Sequence, residues 1–84
     1  MNIDERFLAL SQSDIETVQA FADCNMNATK AAKIIGVSAG LAVTHRLEVV
    51  ERKTQIDPNT FYGLREILNI IEQAKADIQY EQNT

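Results

Sequence analysis

The chain has 84 residues, 45% hydrophobic and 24% charged, with a net charge of −4. That length holds one domain, that apolar content excludes a disordered tail, and no apolar run is long enough to span a membrane. One cysteine, Cys24, and one histidine, His45, exclude an internal disulfide and an ordinary zinc site, so Cys24 reads as buried filler.

The opening Met1-Asn-Ile-Asp-Glu-Arg6 lacks the basic and apolar segments of a secretory signal, so the expectation is a cytoplasmic protein. Ile3, Phe7 and Leu10 then fall at i, i+4 and i+7, which predicts a short first helix. Ser11-Gln-Ser13 breaks it. Ser13, with Glu16 three residues on, reads as a capping box for a second helix ending near Cys24, with Ile15, Val18, Phe21 and Ala22 on one face. Asn27 is placed to cap a third helix, Ala28 to Ile35, whose Ala31, Ala32 and Ile35 share a face. Gly36 follows where helices often stop in a left-handed residue. Ser38 reads as the cap of a fourth helix running to about Lys53, with Val43, Leu47, Val50 and Thr54 facing inward.

Pro58 disfavours helix at Asp57, which makes residues 55–59 a connector. A last helix of about 20 residues then starts at Asn59 or Thr60 and spans about 60–79. The fold expected is all-α: a small helical bundle of four to five helices around a central helix-turn-helix, one domain over 1–84 with its core in 13–71. Along the last helix Leu64, Leu68, Ile71 and Ile78 make one stripe, which Phe61, Ile67, Ile70 and Ala74 broaden. A stripe that wide predicts a homodimer interface at Leu64, Ile67, Ile70, Ile71, Ala74 and Ile78. The alternative is that Ile3, Phe7 and Leu8 fold over it within one chain.

Charge is segregated along the chain: −4 over residues 1–24, +3 over 25–54 and −3 over 55–84. The basic third coincides with the predicted helix, sharp turn and helix. Small residues at Ala28, Ala31 and Ala32 let the two helices cross closely, held by Ala32, Ile35, Val37, Leu47 and Val50. This is the build of a helix-turn-helix DNA reader, whose second helix enters the major groove. The DNA-facing residues expected are Thr29, Lys30, Lys33, Ser38, Ala39, Gly40, Thr44, His45, Arg46 and Arg52, the cations serving phosphates. No phosphate-binding loop, dinucleotide fingerprint or metal motif is present. Glu48 and Glu51 beside Arg52 and Lys53 read as solvated helix charges rather than a catalytic pair. The expectation is therefore a non-enzyme without cofactor or small-molecule substrate.

The stretch Asn27-Ala-Thr-Lys-Ala-Ala-Lys-Ile-Ile-Gly-Val-Ser38, then His45-Arg46-Leu47 through Thr54 to Asp57, then Phe61 and Leu64, resembles the C-terminal helix-turn-helix of PucR-type regulators, which include the sugar-diacid regulators. The resemblance covers about Ile15 to Ile71 and implies sequence-specific binding of double-stranded DNA in transcription control. The segment from Val37 to Leu47 is one residue longer than the family pattern. Gly40-Leu41-Ala42 replace its Arg-Asn-Thr, His45 its Tyr, and Gln55 the Gly that follows its Thr. Shorter stretches are similar to the helix-turn-helix of phage terminase small subunits (Asn27 to Ala32) and of LysR-type regulators (Ala31 to Ser38). A helical protein-interaction module is the reading from another class, motivated by the acidic total and by apolar Leu41 at a base-reading position.

Overall fold

The structure, a computed structural model, describes residues 3–82. It is an all-α bundle of five helices: α1 Glu5–Ala9, α2 Gln12–Asp23, α3 Ala28–Ile35, α4 Gly40–Thr54 and α5 Phe61–Gln82. The elements α2, α3 and α4 pack on one another pairwise. The short α1 bridges α4 and α5, and α5 lies against α2. The molecule measures 42 × 23 × 18 Å. The 22-residue α5 is the longest helix, about 33 Å at 1.5 Å per residue.

The inward stripe of α4 is as the periodicity predicts. Val43, Leu47, Val50 and Thr54 are all buried, and they meet Ile15, Val18 and Phe21 of α2 and Ala31 and Ala32 of α3 in one core cluster, with Thr54 at its edge. The Thr54 hydroxyl is satisfied by donating to the Val50 carbonyl at 2.8 Å, so a polar residue sits there without an orphaned group. Cys24 and Met26 are half-buried against the same cluster.

The capping box of α2 lies two residues earlier than the sequence suggests. Leu10 and Ser11 are both extended, so the break after α1 is two residues and the helix restarts directly after Ser11. The Ser11 hydroxyl accepts from the Asp14 amide at 3.1 Å, and the Asp14 carboxylate accepts from the Ser11 amide at 2.9 Å. Asp14 is buried there and also accepts from the Lys53 ammonium at 2.6 Å, which ties the start of α2 to the end of α4. Ser13 instead contacts Arg46.

Gly36 ends α3 in the left-handed region at φ 78°, as expected. Its own N–H and that of Val37 both donate to the Ala32 carbonyl, which closes the helix end. Ser38 does not cap α4. The helix begins one residue later, with extended Ala39 at the cap position and no side-chain hydrogen bond. At the other end Gln55 takes φ 61°, where the PucR-type pattern has glycine. A left-handed non-glycine residue costs about 1–2 kcal/mol, and the Gln55 side chain offsets part of that by donating to the Arg52 carbonyl at 3.1 Å. Thr60 caps α5, its hydroxyl accepting from the Gly63 amide at 3.0 Å.

The stripe expected to join two copies is covered within one chain. Leu64, Ile67, Ile70, Ile71 and Ala74 are buried, and Ile78 is half-buried. The physical reason is that α2 packs on one side of α5 and α1 on another. Phe7 is half-buried against the core, whereas Leu8 stays exposed, so α1 covers the stripe with only part of the set the sequence offers. The segment Asp4–Arg6 borders an open groove with Ile70 and Ala74, and Arg6 lies 3.8 Å from Glu66. The buried residues present no face to a partner; of the stripe drawn from the sequence Phe61 is exposed and Leu68 half-buried, and the other large apolar side chains left exposed are Leu8, Ile34, Leu41, Tyr62 and Tyr80.

Burial pushes the Asp14 carboxyl up, but hydrogen bonds from Lys53 and Ser11 outweigh it and hold the group below its ordinary value. Its contribution is therefore complete above the unfolded carboxylate pKa of about 3.9 and is lost as pH falls through the lower folded value. Asp14→Asn removes the ion pair at every pH. The melting temperature of Asp14→Asn is expected several degrees below wild type at pH 7, with the gap closing below about pH 4. An equal gap at both pH values contradicts a stabilising charge at Asp14.

Candidate nucleic-acid interface

The candidate site is the outer surface of the α3–turn–α4 unit. Asn27 starts α3, its side chain accepting from the Lys30 amide at 3.0 Å. One face of the helix is nearly bare of side chain: Ala31 is 0% and Ala32 2% exposed. That lets α4 approach the α3 backbone closely. Gly40 marks a close approach, since a Cβ there would lie 3.1 Å from the Thr29 nitrogen and 3.2 Å from its hydroxyl. The turn Gly36–Ala39 thus brings the start of α4 back beside the start of α3. Thr29, Lys30 and Gly40, three of the expected DNA-facing residues, come together there.

Looking along α4, its inward side is Val43, Leu47, Val50 and Thr54. The opposite side, by 3.6-residue periodicity, is Leu41, His45, Glu48 and Arg52, all exposed. Leu41 is the most open of its apolar residues at 65%. Thr44 lies on the flank toward α3, its hydroxyl donating to the Gly40 carbonyl at 3.2 Å. No side chain caps this helix, and the amides of Gly40 and Leu41 have no acceptor among the described residues.

The expected cations divide into two sets. Lys30 and Lys33 are exposed on α3 and form no ion pair among the described residues. Arg46 lies on the other flank of α4, toward α2, where its guanidinium donates to the Ser13 hydroxyl at 2.9 Å. The sequence grouped Arg46 with Lys30, but a residue one place from His45 is turned 100° around the helix, so the body of α4 separates them. Arg52 is exposed near the far end of α4, in an open depression shared with Glu48, Glu51 and Gln55. Ser38 and Ala39 are exposed in the turn. The surface suited to a polyanion is therefore smaller than the sequence suggests: Thr29, Lys30, Lys33, Ser38, Ala39, Gly40, Leu41, Thr44 and His45. Leu41 is the addition, and Ile34 of α3, also exposed, lies beside Lys33 in the chain.

Among the described residues no group of three His, Cys, Asp or Glu side chains is placed to hold a metal ion. No helix among the described residues is long and apolar enough to cross a membrane. In comparisons with known proteins, the chain matches no family model, no curated protein and no solved structure.

Gly40 is the steric test of this geometry. Gly40→Val places a branched side chain against the Thr29 backbone, and overpacking of this kind costs about 1–3 kcal/mol. The expected result is a clear fall in melting temperature. An unchanged value contradicts the close approach of α3 and α4.

Proposed function

We propose that the chain is a sequence-specific double-stranded DNA-binding protein acting in transcription control, with the leading end of α4 in the major groove. The observation that carries this reading is the α3–α4 crossing. Its close approach at Gly40 and Thr29 leaves Leu41, Thr44 and His45 presented beyond the α3 backbone, flanked by Lys30 and Lys33, which form no ion pair among the described residues. Each part has a role. Lys30 and Lys33 neutralise phosphates; the uncapped first turn of α4 offers amides to a phosphate oxygen; Leu41 and His45 meet base edges. The PucR-type resemblance favours the same reading, and the cytoplasm is the compartment it implies.

A second reading is a protein-interaction module on the same surface. Leu41 and Ile34 favour it as exposed apolar residues, and so do the carboxylates of Glu48 and Glu51 further along α4.

Salt dependence separates the two. Binding of the chain to duplex DNA is expected to weaken steeply between about 50 and 200 mM salt. Lys30→Ala with Lys33→Ala is expected to weaken binding to every sequence alike and to flatten the slope of log K against log salt by about two units. No duplex binding at about 50 mM salt overturns the DNA reading, and an unaltered slope in the double variant removes α3 from the interface.

A further inference from the structure

The exposed aromatics at the start of α5 belong to a longer feature. Phe61 and Tyr62 are 58% and 83% exposed, their rings 5.6 Å apart edge to face, with the Arg65 guanidinium 5.6 Å from the Phe61 centroid. Beside them runs a shallow apolar groove of about 310 Å³ between α2 and α5, lined by Ala22, Met26, Leu64 and Leu68 among others. It continues past Ala22 and Leu68 into a second depression that ends at Asp23 and Glu72. On α5 the residues along this path are Phe61, Arg65, Leu68 and Glu72, spaced i, i+4, i+7 and i+11, and exposed Ala76 at i+15 continues the same face beyond it.

We propose that this α2–α5 groove is a two-fold interface with a second copy of the chain, its α5 helices antiparallel and crossing at Leu68. The charge order selects the occupant. Arg65 and Glu72 sit about equally far on either side of Leu68, roughly 10 Å apart along the helix. Neither forms an ion pair among the described residues. A two-fold axis beside Leu68 sets Arg65 against the partner's Glu72 and Glu72 against the partner's Arg65, with Asp23 adding a second carboxylate at each end. The same operation sets Phe61 over the partner's Ala76, where a small side chain leaves room for the ring, and brings the two Leu68 side chains together. A parallel pairing in register instead opposes Arg65 to Arg65. One surface that holds both the knob and its counterpart fits an isologous contact. This face adjoins the buried stripe of α5 and uses Phe61 and Leu68, stripe residues that the chain leaves exposed and half-buried respectively, and it does not depend on DNA binding.

The test is sedimentation equilibrium on the full chain at tens of micromolar, with circular dichroism as a check of fold. Wild type is expected to be a monomer–dimer mixture rich in dimer. Arg65→Glu places like charges opposite one another and is expected to weaken association about tenfold or more. Adding Glu72→Arg to that variant restores opposite charges across the axis and is expected to restore the dimer. Phe61→Ser is expected to give a folded monomer. A monomeric wild type, or a charge-swapped double variant that associates no better than Arg65→Glu, overturns the proposal. A dimer that binds no DNA leaves this interface standing and removes only the DNA reading.

Discussion

Small side chains at the crossing of α3 and α4 set the geometry on which the rest of the structure depends. Ala31 and Ala32 give α4 a nearly flat surface to lie on, and Gly40 lets its first turn touch the Thr29 backbone. The left-handed Gly36 turns the chain sharply enough to return along α3. The other end of α4 is held differently, by Lys53 on Asp14 and, further back, by Arg46 on Ser13. The helix is thus located by steric fit at its start and by polar contacts to the first turn of α2 along the rest of its length. The buried stripe from Val43 to Thr54 fixes its rotation, and that rotation leaves Leu41 and His45 outside.

The same contacts redistribute the charge. The central third of the chain carries a net +3, but Lys53 is neutralised by Asp14 and Arg46 is turned toward α2. Lys30 and Lys33 remain beside the start of α4, while Glu48 and Glu51 share the surface around Arg52. The outer face of α4 therefore changes character along its length, neutral with flanking cations at the start and mixed to acidic at the end. On the described surface of α4, the carboxylates that would repel a polyanion lie toward the far end and not at the leading end. This is how a chain with a net charge of −4 keeps a small surface compatible with phosphate, and it is the physical basis of the proposed function.

Much of this fold was legible in the sequence because its signals are local. Asn27 as a cap, Gly36 as a left-handed stop and the Val43–Thr54 stripe depend on residues within a few positions of one another. Apart from the cap expected at Ser38, which misses the start of α4 by one residue, the expectations that failed involve distant partners. The capping box expected at Ser13 forms instead at Ser11 and Asp14, and Lys53, 39 residues beyond Asp14, pairs with the carboxylate of that box. The dimer stripe on α5 looked too wide for one chain, because the sequence does not show that α2 and α1 cover it from two sides. At the candidate site the cluster of Thr29, Lys30 and Gly40 was legible from the helix-turn-helix spacing. The separation of Arg46 from it was not, since that follows from a hydrogen bond to α2. Gln55 takes the left-handed conformation that ends α4 at some energetic cost.

The central claim is that the start of α4, set against the start of α3, is the surface that meets DNA. A titration of the isotopically labelled chain with duplex DNA, followed by amide chemical shifts at low salt, tests it most directly. The account predicts the largest changes at Thr29, Lys30, Gly40, Leu41 and His45, with little change over Gln73 to Gln79 of α5. Changes concentrated on Phe61, Tyr62 and Arg65, or no changes at any amide, contradict it.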